Sequence, residues 1–169
     1  MIKSKNVKDI QKGKLPVRLD PAAPEFDLFQ SVFYLIAHAD FKFHEDLDEV
    51  IAKKGLDRTT YRLLTILMRL SPINIKELSA LATVKRSTVS RALDRMRKEG
   101  LITQKLNADD NRITDVYLTP VGRELAEVVM PFGSRQLLRA VQGLSEKQLE
   151  SLVNMLKHLV FNLSKLPIE

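Results

Sequence analysis

The sequence predicts a mainly α-helical fold of about six helices with one small antiparallel sheet, a winged helix-turn-helix framed by long N- and C-terminal helices. Three observations predict it. Residues 74–99 read as two short helices joined by a tight turn. From Leu101 to Leu118 the apolar period changes from about 3.6 to 2, interrupted by a turn-rich centre, as a two-stranded hairpin requires. On both sides of this module, long stretches carry apolar residues at three- and four-residue steps.

Composition bounds what such a chain can do. With 169 residues, 44% hydrophobic and 28% charged, it is long enough for one well-packed domain of ordinary globular character. It has no cysteine, which excludes disulfides, thiol chemistry and cysteine-ligated zinc. The net charge of +6 and pI of about 9.6 favour a polyanionic partner, nucleic acid or an anionic membrane surface. No uninterrupted apolar run reaches the length of a membrane span, and Met1-Ile2-Lys3 leads into a polar, basic segment, so a cytoplasmic location without membrane partnership is expected. The expected organisation is a basic, flexible arm over residues 1–24 and a single domain over residues 25–169. Within it, residues 25–55 and 123–169 supply dimerisation helices and residues 56–122 the winged lobe.

The arm holds Lys3, Lys5, Lys8, Lys12, Lys14 and Arg18 with Pro16, Pro21 and Pro24 and no sustained period. It reads as a solvated segment in preference to one that tracks DNA, with Val17 and Leu19 able to anchor its end on a neighbouring subunit. From Asp27 to Gly55 a long helix is expected, since Phe29, Val32, Phe33, Ile36, Phe43, Leu47 and Val50 recur at helical spacing. Phe26, Leu28 and Leu35 widen its apolar stripe beyond one face, which predicts burial from two sides and contact with a partner subunit. Asp57 is placed as the N-cap of a second helix that ends at Leu70 before Ser71-Pro72, and Ile73 as a minimal third strand.

Asn74 and Glu77 form the spacing of a capping box, so a helix begins at Ile75, with Leu78 and Leu81 placed for burial, and ends near Ala82. Thr83 and Val84 make the turn. The next helix runs from about Arg86 to Glu99 on an apolar stripe of Val89, Leu93 and Met96, leaving Ser87, Arg91, Asp94, Arg95 and Lys98 on the other face with Thr88 at its edge. Hydroxyls near a helix start and cations farther along are what a DNA-reading helix needs, for base edges and phosphate oxygens respectively. Ser87, Thr88 and Arg91 are assigned to base edges, and Arg86, Ser90 and Arg95 to phosphates. Gly100 stands where a left-handed residue stops a helix, with Leu101 folding back on Met96. Leu101–Leu106 and Ile113–Leu118 are the strands and residues 107–111 the tip. Between Lys85 and Lys105, seven cations face only Asp94 and Glu99, so this stretch holds most of the chain's excess charge.

Thr119-Pro120 signals another helix start, a capping hydroxyl followed by proline at the first helical position. That helix is expected to reach about Val141 and to bend near Pro131. Ser145 and Gln148 give a further capping box. Leu149, Leu152, Val153, Leu156, Leu159, Val160 and Leu163 then follow in alternating steps of three and four, a heptad seam. Leu149, Leu152, Leu156, Leu159 and Leu163 are the residues assigned to dimerisation, the alternative being a stripe packed inside its own subunit.

Signs of catalysis are weak. His38, His44 and His158 stand in no metalloprotease spacing and beside no nucleophile elbow, and there is no glycine-rich phosphate loop. His44 and Asp48, four apart, make an incomplete metal site that reads better as a solvated acidic helix end. No enzyme activity, cofactor or resident metal is expected.

The run KELSALATVKRSTVSRALDRMRKEGLI, followed by Asp110-x-Arg112 and Leu118-Thr119-x-x-Gly122, resembles the MarR family of winged-helix transcription factors. Every position of the wing signature D-x-R-x5-L-T-x-x-G is matched, and a weaker likeness extends over residues 27–165. The resemblance implies that Arg112 enters the minor groove and that Asp110 holds it. One position departs: Lys85 stands where the recognition helix often has an Asp or Ser cap, and a lysine cannot accept the capping bonds, though it brings a cation near a phosphate. The resemblance further implies a small aromatic or amphipathic effector in a cleft bounded by the first, second and fifth helices, where Phe33, His38, Phe41, Tyr61, Arg62 and Met68 fall.

The function expected is that of a transcriptional regulator, a repressor, binding a pseudo-palindromic operator as a homodimer and released by an effector. The rival readings are a basic nucleoid-type protein that binds DNA without sequence preference and a winged-helix module that binds protein instead.

Overall fold

The computed structural model describes residues 13–165. The expectations for Lys3, Lys5, Lys8 and Lys12 lie outside the described residues. The fold is mainly α, with six α-helices and one three-stranded antiparallel sheet among the described residues. The chain divides into two compact units, up to Glu49 and from Val50 onward.

In the first unit, Val17–Leu19 forms a 3-10 turn and the Asp27 N–H donates to Arg18 O at 2.9 Å. The long helix α1 spans Val32–Ala52 and so starts five residues later than the periodicity predicts. The Asp27 carboxylate instead accepts from Phe29 N at 3.0 Å and from Gln30 Nε2 at 2.7 Å, closing a 3-10 turn over Leu28–Gln30. Ser31 is then extended and breaks the run. Phe29, Val32, Phe33, Leu35 and Phe41 are exposed in the single chain, whereas His44 and Leu47 are buried. The His44 Nδ1–H donates to Asp40 O at 2.8 Å.

In the second unit, α2 (Arg58–Leu70) starts at the expected cap, Asp57, whose carboxylate accepts from Thr60 N at 2.7 Å. Strand β1 is Ile73–Asn74, and Asn74 Oδ1 accepts from Glu77 N at 2.9 Å to open α3 (Ile75–Ala82). Helix α3 buries Leu78 and Ala82 and leaves Leu81 about half exposed, contrary to the burial predicted for it. The reason is spacing: on this short helix the i, i+4 pair Leu78 and Ala82 faces the core, and a residue at i+3 is turned off that line.

Helix α4 (Arg86–Lys98) buries Val89, Ala92, Leu93 and Met96. Its C-terminus is a Schellman motif: Leu101 N donates to Met96 O at 2.9 Å and Gly100 N to Arg97 O at 3.1 Å, with Gly100 at φ +72°. Strands β2 (Ile102–Leu106) and β3 (Thr114–Leu118) pair from Ile102↔Leu118 to Leu106↔Thr114, and β1 joins the other edge of β3 through Ile73↔Val116.

Thr119 caps α5 (Pro120–Ala140), its hydroxyl accepting from Gly122 N at 3.0 Å and donating to Gly100 O at 2.7 Å. A Cβ at Gly122 would sit 2.1 Å from Leu101 O, so only glycine allows α5 to start this close to the end of α4. The Leu-Thr-x-x-Gly motif is therefore a joint that fixes the hairpin base to the helix before it. The core of this unit is Leu63, Leu64 and Leu67 of α2 against Leu78, Leu93, Met96, Ile102, Val116 and Val129, all essentially inaccessible to solvent. Burial of each such side chain contributes roughly 1.5–3 kcal/mol.

The capping box predicted at Ser145 forms completely, with Ser145 N donating to Gln148 Oε1 at 2.9 Å and Gln148 N to Ser145 Oγ at 3.4 Å. Helix α6 (Glu146–Lys165) has no buried residue. Along its predicted seam Leu152, Val153, Leu156, Val160 and Leu163 are exposed, and Leu149 and Leu159 are half-buried. Among the described residues no helix is long and apolar enough to cross a membrane.

Candidate nucleic-acid interface

Helix α4 is held so that one face is unavailable to the core. Its apolar stripe is buried, while Lys85, Arg86, Ser87 and Arg91 are exposed and Thr88 and Ser90 are half-buried at the margin. As predicted from sequence, Lys85 gives the helix start no side-chain capping bond. The turn before it is built locally. Thr83 takes a left-handed conformation at φ 51°, Thr83 N donates to Ala80 O, and Ser79 Oγ donates to Val84 O at 2.8 Å. Arg62 reaches across from α2 and donates Nη1 to Ala82 O at 3.0 Å and to Thr83 Oγ1 at 3.3 Å. A cation on the last carbonyls of α3 also complements that helix dipole.

Arg95 lies differently from the phosphate role expected of it. Its Nη2 donates to Asp57 Oδ2 at 2.5 Å and to Thr60 Oγ1 at 2.7 Å, tying the exposed side of α4 to the first turn of α2. Burial alone pushes the Asp57 carboxyl up. The bonds from Thr60 and from Arg95 outweigh it and hold the group below the usual carboxylate range.

The wing tip is organised around one side chain that sequence reading leaves within the general turn. Asn107 Oδ1 accepts from Asp109 N at 3.0 Å and Asp110 N at 3.1 Å, while its Nδ2 donates to Asp115 Oδ2 at 2.7 Å on β3. Asp110, placed in this way, accepts from Arg112 at three points, the backbone N, Nε and Nη2, at 2.9–3.0 Å. The pair is bidentate, and the Arg112 bonds hold the Asp110 carboxyl below its usual range. The Arg112 side chain nevertheless remains 90% exposed. An arginine that is both oriented and solvent-facing is presented outward, as a groove-inserting residue must be. The sequence signal that would have found Asn107 is an Asx-turn, an Asn two residues before the first Asp of the tip.

The residues expected to contact an effector are distributed over both units. In the first, Phe33 and Phe41 are exposed and His38 stacks on Tyr34 with ring centroids 5.8 Å apart. In the second, Tyr61 is half-buried with its hydroxyl against Gly133, where a Cβ would approach to 2.1 Å, and burial pushes its phenol up. Met68 Sδ accepts from Arg123 Nη1 at 3.9 Å, and Arg62 is engaged with Ala82 and Thr83 as above. No group of three or more His, Asp or Glu side chains that could hold a metal occurs among the described residues.

The chain is similar in sequence and fold to known transcriptional regulators. The MarR family model matches residues 56–114, which is α2 through the start of β3. The HTH-type transcriptional repressor IacR of Pseudomonas putida is 31% identical over 147 residues, covering 87% of this chain and 88% of the relative. Among solved structures, a MarR family transcriptional regulator from Silicibacter pomeroyi superposes with a TM-score of 0.76 at 26% identity, covering 86% of this chain and 96% of that one. BpsR of Bordetella bronchiseptica, whose DNA binding is regulated by 6-hydroxynicotinic acid, shares the fold with a TM-score of 0.71 at 20% identity, covering 80% of this chain and 96% of that one.

Proposed function

The chain belongs to the MarR family of transcriptional regulators, and from that premise we propose that it is a sequence-specific repressor acting as a homodimer on a pseudo-palindromic operator. The observation that carries the proposal is the wing: Arg112 is clamped by Asp110 yet stands in solvent beside an exposed helix face of hydroxyls and cations. Ser87, Thr88 and Arg91 read base edges in the major groove, and Lys85, Arg86 and Ser90 contact phosphates. Arg95 sets the pose of that helix against α2. The dimer forms through the exposed apolar faces of α6 and the N-terminal segment. Two-fold symmetry then puts the half-sites about one helical turn, roughly 34 Å, apart.

We further propose that a small aromatic or amphipathic acid releases the DNA in the cytoplasm, a reading supported by the regulation of BpsR by 6-hydroxynicotinic acid. The test of the whole is selection of bound duplexes from a random pool by the full chain. Enrichment of an inverted repeat with half-sites one turn apart is expected. Recovery of unenriched sequence would favour a nucleoid-type protein, and recovery of no DNA a protein-interaction module.

A further inference from the structure

We propose that a cavity between α3, α4 and the wing seats one phosphodiester of the DNA backbone, with Lys76 as one of the cations that hold it. The inference rests on the DNA-reading function above and adds to it Lys76, a contact absent from the residues predicted by sequence.

The cavity has a volume of about 390 Å³, and its lining includes Lys76 from α3, Arg86 from the start of α4, and Arg112 with Thr114 from the wing. Three cations from three separate elements thus converge on one space, against a single carboxylate, Glu77. Neither Lys76 nor Arg86 has an ion-pair partner among the described residues. Arg112 is paired with Asp110 through Nε and Nη2 only. A guanidinium has five N–H donors, so most of its donor capacity is left over. Like charges gathered in this way repel one another until an anion enters, and each is worth more to that anion in a concave site than on open surface.

The location identifies the anion. A protein with a helix in the major groove and a wing in the adjacent minor groove must straddle the sugar-phosphate strand that separates the two. The lining joins the start of that helix, Arg86, to the groove-inserting Arg112, so the separating strand runs over this cavity. A phosphate there would fix the angle between the two insertions and carry no sequence information itself.

The test is the salt dependence of binding by the full-length protein, followed by fluorescence anisotropy, on a selected operator duplex and on a random-sequence duplex. Lys76 is exposed on a helix surface, so Lys76→Gln leaves the core untouched. On both duplexes it should reduce the slope of log affinity against log salt by about 0.9 per subunit. Lys76→Arg should restore the slope, and Lys147→Gln at the start of α6 should leave it at the wild-type value. An unchanged slope for Lys76→Gln, with wild-type binding that is salt-dependent, would overturn the cavity assignment and leave DNA reading intact. Wild-type protein without salt-dependent binding to either duplex would overturn both. If titration of inorganic phosphate into DNA-free protein gave Lys76-dependent binding while the DNA slope stayed the same, the site would take a free anion, and the phosphodiester assignment would fall.

Discussion

Arg95, on the exposed side of α4, donates Nη2 to Asp57 Oδ2 at 2.5 Å, and the same carboxylate caps α2 through Thr60 N at 2.7 Å. One carboxylate therefore ends one helix and docks another. Both side chains are about half exposed, so the pair contributes more to the pose of α4 than to global stability. Its pH dependence follows from the depressed Asp57 pKa. The stabilisation is fully present above the ordinary carboxylate pKa of 3.8 and is lost as pH falls through the lower folded value. Comparison of wild type with Asp57→Asn by denaturant unfolding should show a stability gap at pH 6 that begins to narrow only as pH falls below about 4. A gap that widened on acidification would contradict the assignment.

The wing should behave as a chain of positions: Asn107 sets Asp110, and Asp110 sets Arg112. Arg112→Lys is expected to weaken operator binding despite keeping the charge, because an ammonium is more strongly hydrated and lacks the planar fork held by Asp110. In a double-mutant cycle, Asp110→Ala and Arg112→Ala should be non-additive in DNA affinity. Asn107→Asp would put a second carboxylate beside Asp115 Oδ2, now 2.7 Å from Nδ2. Its loss of affinity should be partly recovered toward acidic pH, where one of the two carboxylates protonates. Additive losses in the cycle would show that Asp110 does not orient Arg112.

For the proposed dimer, the relevant fact is that no residue of α6 is fully buried among the described residues. Leu156→Glu places an unpaired charge in the seam, and a homodimer built on α6 should dissociate at micromolar concentration in analytical ultracentrifugation. A tight dimer for this variant would move the interface elsewhere.

An effector that releases DNA must bind the DNA-free form better, and by linkage it weakens operator binding by the factor that operator weakens its own. Calorimetric titration of 6-hydroxynicotinic acid and other aromatic acids into free and operator-bound protein should give unequal affinities for a true effector. Equal affinities would exclude that compound.

Helix ends were the most legible part of the fold. Asp57, Asn74, Thr119 and Ser145 each cap where their sequence neighbours predict, and Gly100 takes the left-handed C-terminal position, because a cap is satisfied within three or four residues. The start of α1 is misplaced by periodicity because Phe29 and Val32 keep the helical spacing across a 3-10 turn and an extended Ser31, which an apolar period alone does not separate from one helix. Helical spacing puts Arg95 on the exposed face of α4, but its partner is 38 residues away and nothing local marks it. The cavity at Lys76 needs three elements to assemble and was equally invisible. The period of the α6 seam is plain in the sequence, and most of that seam is exposed among the described residues.

Sequence-specific reading is tested most directly by the affinity of Arg91→Ala for the selected operator and for a scrambled duplex at one salt concentration. Arg91 is exposed on the face opposite the buried Val89, Leu93 and Met96, so its loss should not disturb the fold. The expected result is a loss of about 1–3 kcal/mol on the operator, little change on the scrambled duplex, and relaxed preference at one base pair per half-site. Equal losses on both duplexes would mean that α4 contacts only the backbone, and the reading of this chain as a sequence-specific repressor would be wrong.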